Sequence, residues 1–162
     1  MRGVWAVGDI TGEPMLAHRA MAQGRVVAEA IAGQKVAFDP AAIPAVCFSE
    51  PEIVAVGLGW DDPGLSQGKT IAASFPLVGN GRAMTLSRED GVVRVLADAQ
   101  SHVILGLHAT GPHVSEFASA FALAIEMGST LEDIAATIHA HPTVSEAFGE
   151  AAFAALGYPM HA

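Results

Sequence analysis

His141 and Glu146 are the residues of this chain whose types and spacing suit acid/base chemistry. They lie in the segment Ile138-His139-Ala140-His141-Pro142-Thr143-Val144-Ser145-Glu146. The proline after His141 pushes its backbone away from helix and leaves the following peptide bond open to the cis form. Thr143 then reads as a helix N-cap, Val144 as the first helical residue and Glu146 as a first-turn carboxylate. A loop imidazole and a carboxylate placed this way can meet. A carboxylate bonded to one ring nitrogen fixes the tautomer and favours the imidazolium. The other nitrogen is then left to take and return a proton near neutral pH. That is a base with its orienter, and the sequence places no nucleophile beside it. Two other readings stay open on spacing alone. Thr143-x-x-Glu146 is also a capping box, in which the carboxylate serves its own helix. His139 and His141 form a His-x-His pair, a zinc signal that lacks a third ligand nearby.

A second constellation is Trp5-Ala6-Val7-Gly8-Asp9 followed by Met15-Leu16-Ala17-His18. A carboxylate just past a strand end can accept a hydroxyl hydrogen bond. Backbone N–H groups at a helix N-terminus suit an electron-rich ligand edge. The plainer account is a buried strand with a helix packed on it. No Gly-x-Gly-x-x-Gly phosphate loop is present. Gly57/Gly59 and Gly79/Gly81 have the first spacing, but Asp62 and Met84 stand where the third glycine belongs.

The elements that must position these residues follow from pattern. Val4–Val7 reads as a short strand ending at Gly8-Asp9, and Thr11-Gly12-Glu13-Pro14 as a turn. Met15–Ile31 repeats small and apolar residues at helical spacing, and Gly33 sits where a helix stops. Phe38–Pro44, with prolines at 40 and 44, reads as a linker, so a boundary falls near residue 37. Beyond it come five β-rich runs: Ala45–Phe48, Ile53–Gly59, Thr70–Phe75, Val92–Ala97 and His102–Ala109. Asp98–Ser101 joins the last two as a hairpin. Residues 61–65 can start a short helix. Val114–Met127, Leu131–Ile138 and Val144–Leu156 read as helices, the second capped by Ser129 or Thr130. Strands come first and helices afterwards, so the fold class is α+β with a mostly antiparallel sheet of about five strands.

Composition narrows the function. The chain has 162 residues, about one domain's worth. Apolar residues make up 51% and charged residues 15%, against about 25% charged in an average soluble domain. That excludes intrinsic disorder and suggests a surface covered by a partner. Eight Lys+Arg against 17 Asp+Glu, net −9, leave no basic face for nucleic acid. Cys47 is the one cysteine, so disulfides within the chain and Cys-based metal motifs are excluded, and a reducing, cytoplasmic setting fits. No run reaches the roughly 18 apolar residues of a membrane span. Met1–Asp9 is too short for a signal peptide. A chain that opens in mid-strand suggests a piece of something longer.

At these same residues the chain resembles the C-terminal part of the dihydrolipoamide dehydrogenases, in the flavin-dependent pyridine nucleotide-disulfide oxidoreductase family. The resemblance runs from residue 3 to about residue 157. Val4–Asp9 resembles the second flavin-binding motif, and Met15-Leu16-Ala17-His18 the stretch beside the flavin ring. Ile43–Glu52, and Gly106–Gly111 with Glu116, resemble strands and a helix of the interface domain. His139–Thr143 with Glu146 resembles the active-site signature. Met15–His18 and His139–His141 favour the lipoamide branch over the glutathione and mercuric reductase branches.

The resemblance implies roles and partners. His141 would be the catalytic base and Glu146 its orienter. Asp9 would contact the ribityl chain of FAD, with Met15, Leu16, Ala17 and His18 beside its ring. Residues 1–36 would be the end of an FAD-binding domain, and 37–162 the interface domain of a homodimer. The parent enzyme would oxidise protein-bound dihydrolipoamide on lipoyl domains of 2-oxoacid dehydrogenase complexes, using FAD, a redox disulfide and NAD. The disulfide, the first flavin motif and the nicotinamide domain would lie upstream. The chain alone would therefore be inactive and hold no FAD tightly. The alternative is a self-associating or complementing module without a catalytic role, or a fragment of another flavin disulfide reductase of glutathione or mercuric reductase type.

Overall fold

The computed structural model describes residues 3–161; Met1, Arg2 and Ala162, at the ends of the two expected segments, lie outside the described residues. The chain divides into two compact units, Met1–Pro40 and Ala41–Ala162.

The first unit is a 3-10 turn, Gly8–Thr11, a loop, and helix α1, Ala17–Ile31. Arg19 is the buried residue of α1. Its guanidinium donates to the carbonyls of Gly12 and Pro14 and to Thr11 Oγ1, which ties the loop to the helix. The Gly8 N–H donates to Gln23 Oε1 at 2.7 Å. Gly8 has φ +75°, and a Cβ there would stand 3.2 Å from the Ala20 Cβ, so both its conformation and the close approach favour glycine. The expected strand at Val4–Val7 does not form. Among the described residues the segment has no ladder partner, and an unpaired run is no strand. Val4, Trp5 and Val7 are exposed.

The second unit is built on a five-stranded sheet: β1 Ala45–Cys47, β2 Glu52–Gly57, β3 Thr70–Pro76, β4 Val92–Asp98 and β5 Ile104–Gly111. The order is β1-β2-β5-β4-β3 and every pairing is antiparallel. The register aligns alternate apolar residues across the sheet. Val54, Ala109, Val93 and Phe75 form one row; Val56, Leu107, Val95 and Ala73 form the next. Because strand side chains alternate, both rows share one face. Helices cover that face. The chain enters α4, Ala118–Glu126, through a 3-10 turn, Val114–Phe117, and α4 packs on β2 and β5. Helix α6, Glu146–Ala155, packs on β3 and β4, with α5, Leu131–Ala136, beside it. Phe121 of α4 is fully buried and meets Phe148 of α6 edge-on at 5.0 Å. Truncating Phe121 to alanine would cost about 3–5 kcal/mol by opening a cavity.

Local chemistry explains most boundaries. Asp98 Oδ1 accepts the Gln100 and Ser101 N–H groups and the Ser101 hydroxyl, which closes the β4–β5 hairpin. Thr130 caps α5 in a full capping box with Asp133. Asp62 caps the short α2, Pro63–Ser66. Asn80 caps α3, Gly81–Thr85, a helix too short for apolar periodicity to mark. The expected helix start at Val144 is corrected to Glu146, and Thr143 is not its cap. The Thr143 hydroxyl donates to the Ala140 carbonyl instead, at 2.6 Å.

Candidate active site

His141 comes off the loop between α5 and α6, and Glu146 is the first residue of α6. The His141–Pro142 bond is cis. The ring and the carboxylate meet: His141 Nδ1 lies 2.9 Å from Glu146 Oε1. An ionised carboxylate only accepts, so Nδ1 carries a proton, and in the neutral ring Nε2 keeps the lone pair. Glu146 Oε2 accepts the Thr143 N–H at 2.8 Å. The carboxylate thus uses one oxygen on the ring and the other on the loop N–H, while α6 has no side-chain cap bond at its N-cap, Ser145. The Thr143 hydroxyl donates to the Ala140 carbonyl and lies 2.9 Å from Ser145 Oγ.

The loop is held from the sheet side. Asn80, 3% exposed, donates Nδ2–H to the Thr143 carbonyl at 3.0 Å while Oδ1 accepts the Ala83 N–H. His139 is turned elsewhere. Its Nε2 lies 3.4 Å from the Ile134 carbonyl, its ring stands edge-on to Phe148, and Gly149 leaves room for it. The His139 ring is thus engaged by the core rather than by His141.

The His141 side chain is 76% exposed and the Glu146 side chain 24%. Burial pushes the Glu146 carboxyl up. The Thr143 N–H and the His141 ring outweigh that, with the charges of His141 and His139, and hold it below the ordinary carboxylate range. Its charge is therefore in place to support an imidazolium. A cavity of about 220 Å³ adjoins the pair, lined by Phe75, Asn80, Met84 and Glu150 among others. A larger groove of about 710 Å³ lies over α4, α5 and α6 and is lined mainly by apolar side chains, including Phe117, Leu123 and Met127. Leu123 and Met127 are exposed, and so is Ile138.

The other expected residues belong to the first unit. Asp9 is exposed in the 3-10 turn. Leu16 is the N-cap of α1 without a side-chain cap bond, and Ala17 and His18 begin the helix. Met15, Ala17 and His18 are exposed. An exposed carboxylate, exposed apolar side chains and a helix N-terminus fit one edge of a flavin site. Spacing passes over three residues of the second unit. Asn80 carries a readable signal, an Asn ahead of a helical run. Glu150 follows Glu146 by one turn and so shares its face. His161, whose Nδ1 lies 2.6 Å from Glu150 Oε1, carries none.

Residues 43–152 match the family described as pyridine nucleotide-disulphide oxidoreductase, dimerisation domain. The chain belongs to this family. Its second unit is thus a dimerisation domain, the part that pairs two subunits in these oxidoreductases. The chain is 57% identical to a dihydrolipoyl dehydrogenase of Pseudomonas aeruginosa over 99% of its length, covering 35% of that protein. It is 47% identical to the dihydrolipoyl dehydrogenase of Geobacillus stearothermophilus over 98% of its length, covering 34% of that protein. The chain thus spans about a third of the length of these relatives. The crystal structure of LpdA from Mycobacterium tuberculosis superposes with a TM-score of 0.84 at 29% identity, over 93% of this chain and 33% of that one. Among the described residues no helix is long and apolar enough to cross a membrane.

Proposed function

We propose that this chain is the dimerisation region of a dihydrolipoyl dehydrogenase and supplies its acid/base pair, His141 and Glu146. The observation that carries the reading is the Nδ1–carboxylate contact of 2.9 Å on an exposed imidazole, in a chain of this family. Dihydrolipoamide, carried on a lipoyl domain, presents two thiols. A thiol attacks a disulfide only as thiolate. His141 Nε2 takes the thiol proton, and Glu146 stabilises the imidazolium that results. The thiolate then forms a mixed disulfide with a redox disulfide of the other subunit, releasing one cysteine thiolate. The second substrate thiol passes its proton to that thiolate, closes the lipoamide ring and releases the other cysteine as thiolate. The disulfide gains two electrons and the substrate loses two.

Asp9 and Met15–His18 would hold one edge of the flavin, Asp9 on the hydroxyl chain and the helix start against the ring. A flavin bound there supplies the acceptor for the electron pair on its way to NAD⁺. The rest of that site lies outside this chain in the reading, so the chain alone binds no FAD tightly. Cys47 is exposed and unpaired, which fits a cytoplasmic setting. Exposed Leu123, Met127 and Ile138 support self-association, since apolar surface of this kind is usually covered.

The test is a chimera. This chain replaces the matching C-terminal third of the Pseudomonas aeruginosa relative. The expected product is a yellow dimer that oxidises dihydrolipoamide with NAD⁺, and His141→Gln in it slows turnover by about 10²–10⁴ with flavin and dimer intact. A flavin-loaded dimer indifferent to His141→Gln would refute the catalytic role. A chain that dimerises while the loaded chimera stays inactive would favour a pairing module alone.

A further inference from the structure

Two carboxylates of α6 each hold an imidazole by Nδ1. Glu146 Oε1 holds His141 at 2.9 Å, and Glu150 Oε1 holds His161 at 2.6 Å. One helical turn separates the two acids. Glu150 Oε2 also accepts the His161 backbone N–H at 3.3 Å. Glu150 is 8% exposed. All four side chains line the cavity of about 220 Å³ beside the candidate base. Its other walls come from β3, the loop after it and α3, as Phe75, Gly79, Asn80, Gly81 and Met84, none of them charged. On the other side, His139 lines a second cavity together with Glu146, Glu150 and His161.

A bare carboxylate at 150 would work against the base. Its charge would add to that of Glu146 and favour the imidazolium at His141. An imidazole that already holds its proton cannot take one from a thiol. We propose that His161 is a positioning residue of the His141 site: seated on Glu150, it neutralises that carboxylate, so that Glu146 alone sets the basicity of His141. The inference rests on the reading of His141 as the base. The hydrogen bond that the His161 ring donates to Glu150 pushes His161 above the ordinary imidazole range, with the charge of Glu150 and then that of Glu146 adding to it. The two pairs share one helix face and one cavity, so the charge at 150 lies within reach of His141.

The test follows the His141 ring by proton NMR across pH in this chain. His161→Gln keeps a neutral polar side chain and exposes the charge of Glu150. The His141 midpoint should then rise by about 0.5–1 pH unit, as for unit charges a helical turn apart near a surface. Adding Glu150→Gln removes the bare charge and should return the midpoint to its original value. Both variants lose the ring–carboxylate bond of the tail, so a purely structural tail would move both alike. An unmoved midpoint in His161→Gln, or equal movement in both variants, overturns the proposal. The titration does not read turnover, so its failure is separate from failure of His141→Gln in the chimera.

Discussion

His141 Nδ1 and Glu146 Oε1 lie 2.9 Å apart, and Oε2 of the same carboxylate takes the Thr143 N–H of the preceding loop at 2.8 Å. One side chain thus orients the ring and ties the loop to α6. The two jobs separate by mutation. Glu146→Ala removes both bonds and should lower stability by about 1–2 kcal/mol, as for a part-buried N–H left without its partner. Glu146→Gln keeps an amide oxygen for the Thr143 N–H and should cost less. His141→Gln alters a mostly exposed side chain and should stay within about 0.5 kcal/mol of the parent. Urea denaturation of the three variants checks the order. Equal stability of Glu146→Ala and the parent would show that the Thr143 bond contributes nothing.

Asn80 links the sheet side to the histidine loop, and its two ends do different work. Oδ1 accepts from Ala83 at the start of α3, and Nδ2 donates to the Thr143 carbonyl. Aspartate is ordinarily as good a cap as asparagine. Here Asn80→Asp would set a carboxylate oxygen against the Thr143 carbonyl in a buried position. The expected result is that Asn80→Asp destabilises by at least as much as Asn80→Ala, each by about 1–3 kcal/mol. Thermal unfolding decides it. An aspartate variant with the original Tm would mean that the Thr143 bond is dispensable.

Residues with local signals were legible in the sequence. The alternation in Val92–Ala97 and His102–Ala109, split by Asp98–Ser101, specifies a hairpin because period, turn residue and burial agree. Thr130 with Asp133 marks a helix start for the same reason. The pairing of His141 with Glu146 was readable because the contact spans only a loop and one helix start. Val4–Val7 shows the limit. Its composition suits a strand, but a strand exists only with a partner, and composition does not supply one. Helix α6 starts at Glu146, two residues later than spacing suggests, and the Thr143 hydroxyl bonds back to Ala140, neither of which spacing can see. Glu150 and His161 meet only because the chain turns back after α6, so no periodicity links them.

Acid should unfold the second unit for a reason visible in its caps. The Ser115 N–H lowers Glu52, the Ser101 N–H lowers Asp98, and the Thr130 N–H lowers Asp133. Glu146 lies low for the causes given above. Each carboxylate titrates lower folded than unfolded. Its contribution is therefore full above the ordinary carboxylate range and is lost as pH falls through the lowered values. Stability by urea denaturation should hold from pH 7 to about 5 as far as these groups decide it and fall steeply below about 4.5. Burial lowers His108 and adds a gentler loss as pH drops below its unfolded value. A curve flat down to pH 3.5 would remove the caps from the account.

Gly149 lies within α6, where alanine would ordinarily stabilise by about 0.5–1 kcal/mol. Here the sign should reverse. A Cβ at 149 would stand 2.8 Å from both Cδ2 and Nε2 of the His139 ring. That ring is packed against Phe148 and near the Ile134 carbonyl, and Gly149 itself is buried. Either the ring leaves its seat or the helix moves off the sheet. Overpacking of this kind costs about 1–3 kcal/mol. Gly149→Ala should therefore lower the Tm, and adding His139→Ala should recover part of the loss by clearing the ring. If Gly149→Ala raises the Tm, the ring yields freely and His139 is not seated as described.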